Sequence, residues 1–537
     1  MNKISLLFLI TFFIFSCQNE KEIISIEQTN DIVPIPKEIN FNNKNKGLAF
    51  SKSISVFYKN SEISPLIQLF KNEIQKITSL DINFFTNDES SADFIFKIDK
   101  KLNKEEYQID INENIYISSG SYNGLVMAKN TLLQLMSTRK QSIVFPLIKI
   151  KDYPDSSYRG LLIDLARMWH DVESLKNVID LASFYKINYI QLHLTDDQAF
   201  TFPTEKYPKL STPDRPYSKK DFRELVEYAK LRGIILVPEL EVPGHATQLV
   251  KIYPEIFRVN NNNPNSNVVD ISNEKIYTAL DEIIGEMIEV FYTSPYFHIG
   301  ADEANLDLYR NVPEIKRFMK KNNLGTDVNE LYRYFIVRMN EIVKSHNKKM
   351  FLWEGFRKEG KIKIPKDVVV FEFETLYQLP NDLIDDGYTV VNTSWQPLYV
   401  VNGGVKNPRA RRAMWSPEKI YSWNIWRWES WYNKAPAYKK PIQLEETPLV
   451  IGGQFCSWEQ TGEAEIPVLR KRLPSFTEKV WNNNEVLPFE IFFPKVEKND
   501  EKLSKIINDK RQDTLLLGYN YPGVGDDCGA ALWGGCD

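Results

Sequence analysis

The chain has 537 residues, of which 43% are hydrophobic and 26% charged, a globular composition that excludes collagen, coiled coil and wholesale disorder. Its 67 basic and 71 acidic side chains give a net charge of −4, which offers no broad basic surface for nucleic acid. At roughly 150 residues a domain, the length predicts two to four domains. Four cysteines are too few for a disulfide framework.

The first 17 residues are predicted to be a lipoprotein signal peptide. Lys3 supplies a positive charge, residues 4–15 are almost wholly apolar, and Ser16 precedes Cys17. This pattern is typical of an export signal, and about 12 apolar residues are too few to span a bilayer stably. A small residue before cysteine resembles a bacterial lipobox. We therefore expect a lipid at Cys17 that anchors the protein at the cell envelope, in the outer membrane or on the cell surface. The alternative is a simple secretory peptide with an incidental cysteine, which would leave the protein periplasmic.

Residues 25–150 are predicted to form a small α+β domain. Alternating apolar segments at 53–58, 93–98, 107–111 and 115–117 predict strands, and two other stretches show the apolar spacing of helices. The domain contains no histidine and no paired acids at a strand end, so we assign it no chemistry.

Residues 152–490 are predicted to form a (β/α)₈ TIM barrel. Helical patterns lie at 173–186, 218–232 and 329–345, between apolar strand candidates, and such alternation implies parallel pairing. Eight such units suggest a barrel with insertions, and a doubly wound open sheet is the alternative. No glycine-rich phosphate loop follows a strand, which counts against nucleotide binding. The eight strand candidates are 158–165, 188–194, 234–239, 296–300, 349–353, 368–373, 388–393 and 449–455.

Residues 400–450 interrupt this alternation and are predicted to be a long insertion near the barrel mouth. Besides five tryptophans, the insertion contains Arg409, Arg411 and Arg412, either a solvated basic run or a site for an anionic group such as a sulfate. Residues 491–537 are predicted to be a C-terminal tail with no assigned role.

Polar residues accumulate where the predicted strands end, which is where the reactive groups of such barrels cluster. Two chemistries compete: metal-dependent hydrolysis with histidine and carboxylate ligands, and acid catalysis by carboxylates with histidine as an orienting partner. No histidine pair stands at a metal-binding spacing on one element, and the adjacent acids Asp302 and Glu303 favour the second chemistry. At a strand end two successive acids can both line the mouth, and an acid beside another acid has a raised pKa.

Four segments together resemble glycoside hydrolase family 20, the β-N-acetylhexosaminidases. They are residues 159–167, 193–198, 238–245 and 298–303, in the family's order at the ends of four predicted strands. The first domain likewise resembles the family's accessory α+β domain. The resemblance covers most of the chain. It implies an exo-acting, retaining enzyme that removes terminal N-acetylhexosamine from glycans without a metal or cofactor. The nucleophile is the substrate's own 2-acetamido oxygen, which forms an oxazolinium ion.

The resemblance also implies which residues carry the chemistry. Glu303 is the general acid and then the base, and Asp302 holds the acetamido N–H and stabilises the developing positive charge. Tyr399 hydrogen-bonds the acetamido oxygen. His245, with Asp196 or Asp197, orients Glu303.

A second set of residues is implied to bind the terminal sugar. Trp353 and Trp458 wall the acetyl pocket, and Arg159 grips ring hydroxyls. The family usually has a tryptophan on the sixth strand, where this chain has residues 370–374 without one, and Trp395 is the possible substitute.

Further departures affect the positions that contact O4 and O6 of the sugar. Val401 stands where the family has an aspartate. Glu459 directly follows Trp458, and Gln460 takes the place of the usual glutamate. These changes motivate an alternative, a glycan-binding lipoprotein that has lost turnover, although Asp302, Glu303 and Tyr399 argue against it. A metal-dependent hydrolase, which a chelator would inactivate, is the third hypothesis.

Overall fold

The computed structural model describes residues 21–27, 30–260, 263, 266–401, 415–484 and 487–512. The predicted lipid site at Cys17, the basic run at Arg409, Arg411 and Arg412, and the cysteines Cys528 and Cys536 lie outside these residues. Among the described helices, none combines the length and apolar character that crossing a membrane requires.

The first domain contains two sheets and two helices. A seven-stranded sheet has the order β2-β11-β7-β8-β6-β4-β5, and a four-stranded sheet has the order β1-β3-β10-β9. The helix α1 presents Leu66, Phe70 and Ile74 to the core, as their spacing predicts. The strands are β1 (Lys21–Ser25), β2 (Glu38–Phe41), β3 (Lys46–Phe50), β4 (Ser53–Tyr58), β5 (Asn83–Thr86), β6 (Phe94–Ile98), β7 (Tyr107–Ile111), β8 (Ile115–Ser119), β9 (Ser137–Arg139), β10 (Ser142–Pro146) and β11 (Ile148–Asp152). The helices are α1 (Ser64–Thr78) and α2 (Tyr122–Leu135).

The second domain is a closed barrel of eight parallel strands, which confirms the predicted (β/α)₈ fold and eliminates the open sheet. The last strand, β22, pairs with both β18 and β12 and so closes the ring. A short strand, β19, adds to β22 at the mouth, and β20 pairs with β21 in the insertion. The strands are β12 (Tyr158–Asp164), β13 (Tyr189–His193), β14 (Ile235–Glu239), β15 (Tyr296–His298), β16 (Lys349–Trp353), β17 (Val369–Glu372), β18 (Thr389–Asn392), β19 (Tyr399–Val401), β20 (Arg427–Trp428), β21 (Ile442–Gln443) and β22 (Val450–Trp458).

Helices surround this barrel and begin where the local sequence supplies caps. Ser218 accepts a hydrogen bond from the Asp221 amide while Asp221 bonds back to the Ser218 amide, a capping box that starts α4. The helices are α3 (Val172–Phe184), α4 (Lys219–Lys230), α5 (Thr247–Ile252), α6 (Pro254–Phe257), α7 (Glu274–Val290), α8 (Pro313–Lys321), α9 (Val328–Ser345), α10 (Pro380–Asp385), α11 (Trp395–Leu398), α12 (Pro417–Tyr421), α13 (Pro436–Lys439), α14 (Gly462–Trp481) and α15 (Phe489–Ile506).

The helix α15 runs across the predicted start of the C-terminal tail at residue 491. It packs against α1 of the first domain and against α3 and α14 of the barrel. Buried Arg470 of α14 donates to Asp500 at 2.6 Å, and Lys505 donates to the Ile77 carbonyl of α1 at 2.8 Å. This helix therefore belongs to the folded body and joins the two domains.

A second junction between the domains is a buried polar cluster beneath the barrel. Asp152 accepts hydrogen bonds from Tyr107, from the Trp481 indole and from Lys186, all of them buried. Buried Arg159 donates two hydrogen bonds to Glu105 of the first domain, at 2.7 and 3.0 Å. The cluster lies at the amino-terminal ends of the strands, so the opposite end of the barrel is free to bind substrate.

Candidate active site

The carboxyl ends of neighbouring strands bring titratable side chains to one level of the barrel. In the parallel register Asp164 lies opposite His193, His193 opposite Glu239, and Glu239 opposite His298. All four side chains are buried. The loops that follow these strands carry the predicted acids.

The turn after β15 positions the two adjacent acids. Gly300, Ala301 and Glu303 have φ angles of 68°, 79° and 46°, a left-handed run that breaks the alternation of a strand. The Ala301 amide donates to Glu241 at 2.9 Å, and Tyr332 donates to the Ala301 carbonyl. Because the chain turns here, successive acids occupy different environments. The Asp302 side chain is half-buried, and its Oδ1 atom is buried without a hydrogen-bond partner, whereas the Glu303 side chain is 34% exposed.

Glu303 is held by a histidine that is itself held by carboxylates. His245 Nε2 lies 3.3 Å from Glu303, and its Nδ1 lies 3.3 Å from Asp196 and 3.9 Å from Asp197. Burial opposes charge on His245, but Asp196 and the hydrogen bonds to Asp196 and Glu303 outweigh it and raise the His245 pKa well above its usual value. A protonated His245 therefore faces Glu303.

Asp197 braces this arrangement from the next loop. It accepts hydrogen bonds from the Thr247 hydroxyl at 2.6 Å and from Asn267 at 3.1 Å. Asp196 is the carboxylate closer to His245, whereas Asp197 hydrogen-bonds residues of the segment after β14.

Burial makes Asp302 a weaker acid than an ordinary aspartate. Burial raises its pKa to about 6, with a further increase from neighbouring Glu303, although His245 acts in the opposite direction. Asp302 therefore changes charge close to neutral pH, and it is the carboxylate form that can accept a hydrogen bond from an amide N–H.

An aromatic cage lies beside Asp302 and contains the predicted Trp353, Tyr399 and Trp458. The ring centroid of Trp458 is 5.8 Å from Tyr399 and 6.2 Å from Trp353. Phe373 stacks parallel to Tyr399 at 6.1 Å and meets Trp353 edge to face at 5.7 Å. The cage wall that the sequence left open is thus Phe373, which directly follows β17. Trp395 packs against the edge of Phe373 at 5.6 Å.

Arg159 does not lie in this site, which corrects the prediction that it grips the sugar. It stands near the amino-terminal end of β12, and besides Glu105 it donates to the carbonyls of Lys186 and Ser156. The residue at the mouth is Arg167, which follows the other end of the same strand. Its guanidinium lies 2.6 Å from Asp196 and 3.2 Å from Asp164, and 5.2 Å above the Trp458 ring. The rule that barrel chemistry sits at strand carboxyl ends points to Arg167 rather than Arg159.

Glu459 and Gln460 differ sharply in their surroundings. Glu459 has a φ of 56°, its amide donates to Asp164 at 3.3 Å, and burial raises its carboxyl pKa while Arg167 opposes the shift. Gln460 is fully buried and donates to the backbone of Val400 and Trp458. Of these two residues, Glu459 is therefore the partly accessible one, and it alone carries a carboxyl group.

Three further acids lie behind the cage and were given no role by the sequence. Glu354 accepts hydrogen bonds from the Tyr377 and Gln378 amides, and burial raises its pKa to about 8. Burial also raises the pKa values of Glu372 and Glu374 well above the usual range. Their one sequence signal was their place at the ends of β16 and β17.

Three clusters bring histidine and carboxylate atoms within 4.8 Å of one another at this mouth. In the first two clusters many of these atoms already bind one another or Arg167: His193 contacts a carboxylate at each ring nitrogen, and Asp196 contacts Arg167, His193 and His245. These internal contacts favour carboxylate chemistry over the metal-dependent alternative.

Comparisons with known proteins agree with this geometry. The glycosyl hydrolase family 20 catalytic-domain model matches residues 156–484, and the model of domain 2 of that family matches residues 29–153. β-Hexosaminidase subunit A2 of Dictyostelium discoideum is 26% identical over 513 residues, covering 91% of this chain and 90% of that protein. The β-hexosaminidase of Vibrio furnissii is 29% identical over 317 residues. The match covers 53% of this chain and 51% of that protein, about half of its length.

A solved structure shows the same fold. The exo β-N-acetylglucosaminidase of Vibrio harveyi superposes with a TM-score of 0.74 at 22% identity, covering 92% of this chain and 80% of that one. The catalytic-domain match takes in more than half of the chain and coincides with the barrel whose mouth holds the acids, the histidine and the cage. The chain therefore belongs to glycoside hydrolase family 20, the β-N-acetylhexosaminidases.

Proposed function

We propose that this exo-acting β-N-acetylhexosaminidase uses the 2-acetamido oxygen of its own substrate as the nucleophile and retains the anomeric configuration. The observation that carries the proposal is the turn after β15, which encloses the Oδ1 atom of Asp302 near Tyr399 of the aromatic cage and leaves Glu303 at the open mouth. One acid can then hold the acetamido group while the other reaches the glycosidic oxygen.

In the first step the acetamido oxygen attacks the anomeric carbon as the bond to the leaving oxygen breaks, and Glu303 donates its proton to that oxygen. The product is an oxazolinium ion and a free alcohol. In the second step Glu303 removes a proton from water as the water oxygen attacks the anomeric carbon. The bond between that carbon and the acetamido oxygen breaks, which opens the oxazolinium ring and regenerates the acetamido group. Holding the internal nucleophile in an attack geometry accounts for much of the rate enhancement.

Asp302 and Tyr399 provide that geometry. The Asp302 carboxylate accepts the acetamido N–H and stabilises the positive charge on the oxazolinium ring. The enclosure of the Asp302 Oδ1 atom strengthens this electrostatic effect. The Tyr399 hydroxyl donates to the acetamido oxygen. Trp353, Phe373 and Trp458 surround the acetyl methyl and exclude water.

Arg167 and Glu459 are the groups that we assign to the hydroxyls of the terminal sugar. Both lie at the rim beside Trp458, and the guanidinium is fixed by Asp164 and Asp196 before substrate arrives. A fixed donor fork loses little conformational entropy on binding. The substrates are glycans or glycoconjugates that end in N-acetylhexosamine.

We also propose that the enzyme is lipid-anchored at a bacterial cell envelope. The support is the apolar segment 4–15 followed by Ser16 and Cys17. The strand β1 begins at Lys21, so a lipid at Cys17 would hold the first domain next to the membrane with the barrel beyond it. Metabolic labelling with a palmitate analogue tests this proposal, and labelling that persists in Cys17→Ala contradicts it.

The catalytic proposal is tested with p-nitrophenyl N-acetyl-β-D-glucosaminide and with N,N′-diacetylchitobiose, using wild type and Glu303→Gln with and without EDTA. We expect turnover that survives EDTA. In the variant we expect a loss of about 10²–10⁴-fold on the disaccharide, because an unactivated leaving group requires a general acid. Loss of wild-type turnover in EDTA supports the metal-dependent alternative. Binding of glycans without turnover supports the glycan-binding alternative.

A further inference from the structure

Glu239, the last residue of β14, has no part in the chemistry just described but lies at its centre. The side chain is fully buried, and its Oε2 lies 2.6 Å from His193 Nδ1. Its Oε1 accepts a 2.7 Å hydrogen bond from the Trp353 indole and lies 3.2 Å from His298 Nδ1. One carboxylate thus contacts three side chains that point toward different parts of the site.

The first branch leads to the acid. His193 Nε2 lies 2.9 Å from Asp196, Asp196 lies 3.3 Å from His245, and His245 lies 3.3 Å from Glu303. These contacts follow one another without a gap from Glu239 to the mouth. The orientation of Glu303 therefore depends on a chain of groups that begins at Glu239.

The second branch leads to the cage, because the indole N–H of Trp353 is fixed by Glu239 while its ring faces Phe373 and Trp458. His298 provides no third branch, because its Nδ1 already accepts the Gly300 amide hydrogen at 3.0 Å and the neutral ring has no proton there to donate to Glu239.

We infer that Glu239 is a positioning residue for the reaction: a single buried carboxylate that fixes both the orientation of the acid Glu303 and the Trp353 wall of the acetamido pocket. It touches neither the substrate nor the reacting atoms. The inference rests on the roles proposed above for Glu303 and Trp353.

Charge explains why a carboxylate is needed at this position. Burial opposes ionisation of both partners, yet Glu239 raises the His193 pKa to about 10 and His193 lowers the Glu239 pKa to about 2. His193 is therefore an imidazolium that contacts a carboxylate at each nitrogen. The other titratable groups facing this pair are Tyr158, Asp164, Asp196, Glu241, His298, Asp302 and Cys456, with Arg167 on the far side of Asp196.

Glu239→Gln tests the inference because it keeps the shape and removes the charge. Without the second carboxylate, burial lowers the His193 pKa, so His193 loses its proton at a lower pH and Asp196 loses a donor. We expect kcat on N,N′-diacetylchitobiose to fall by about 10- to 100-fold, part of the contribution of general acid catalysis. The alkaline limb of its kcat/KM profile should move to lower pH by at least about one unit.

Two matched variants separate the branches. Trp353→Phe removes the N–H donor and keeps an aromatic wall, so it should lower turnover without moving the alkaline limb. Glu478→Gln changes a buried glutamate at the domain junction, where it binds the Ile35 amide, and should leave both readouts as in wild type.

A Glu239→Gln enzyme with the wild-type profile, or one whose loss is the same at every pH, overturns the inference. If that variant does not fold by circular dichroism, Glu239→Asp serves instead. It keeps the charge and should show lower kcat with the alkaline limb in place, and a shifted limb would overturn the inference. Full turnover of the disaccharide by Glu303→Gln would instead contradict the proposed function.

Discussion

Asp302 and Glu303 are neighbours in the chain but have different surroundings, and the difference originates in backbone conformation. The positive φ at Ala301 and Glu303 turns the two side chains into different parts of the mouth. The Asp302 carboxyl has one oxygen enclosed without a partner, and the Glu303 carboxyl meets solvent and His245. Two residues of similar chemistry thus acquire separate roles, which residue type alone does not reveal.

The raised pKa of Asp302 makes activity depend on pH in a defined direction. Since burial raises this pKa to about 6, the carboxylate that receives the acetamido N–H is lost as pH falls through about 6. We expect kcat/KM to fall below that pH in wild type. In Asp302→Asn the acidic limb should disappear, with a loss of about 10²–10³-fold at neutral pH. Rate profiles from pH 4 to 9 check this, and an unchanged acidic limb in the variant would contradict the assignment.

At the scale of elements, the barrel was predictable because each buried parallel strand is a short, continuous apolar run, and clearly capped helices follow the first two strands. All eight barrel strands and the helices α3, α4 and α9 occur where that pattern predicts them. The sequence did not show α15, because Pro494 and many charged residues obscure its apolar stripe.

The site was predictable only where a motif carried it. Asp302, Glu303 and His245 stand in such motifs, Tyr399 was implied by the family resemblance alone, and the structure brings these residues together. Phe373 required three-dimensional contacts. The choice of Arg167 over Arg159 required only the strand-end rule, applied to both arginines of β12.

The turn after β15 is the element on which the geometry depends most, and Gly300 tests it. A Cβ at Gly300 would lie 1.9 to 2.1 Å from the Glu241 carboxylate, in addition to the cost of a φ of 68°. Gly300→Ala should therefore displace Asp302 and Glu303 and lower kcat at least about tenfold. Gly387, with a φ of 83° and nothing within 4 Å of a Cβ, provides the control. Gly387→Ala should cost about 1–2 kcal/mol of stability and leave kcat unchanged. Equal kcat in the two variants would show that the turn tolerates rearrangement.

At the scale of the whole molecule, the two domains form one folded body whose stability and catalysis are separable. The buried cluster of Tyr107, Asp152 and Lys186 joins the domains beneath the barrel, and the catalytic groups lie at the opposite end. Substitutions at the two ends should accordingly have different consequences.

Arg159 and Arg167, on the same strand, make this separation measurable. Arg159→Ala removes the ion pair to Glu105 and should lower the free energy of unfolding by about 3 kcal/mol while the folded enzyme keeps its KM. Arg167→Ala should raise KM and lower kcat/KM at least about tenfold with a smaller change in melting temperature. Thermal melts and steady-state kinetics on both proteins check the pair. A raised KM in Arg159→Ala would return that residue to the substrate site.

The helix α15 gives the enzyme an order of assembly. It is the last described helix, yet it covers α1 near the beginning of the chain, and Lys76 of α1 donates to the Ile506 carbonyl at 2.8 Å. A ribosome must therefore translate the chain as far as residue 506 before the first domain can complete its packing. Until then the surface of α1 that contacts α15 is uncovered, although the apolar side chains of α1 can already pack within the first domain.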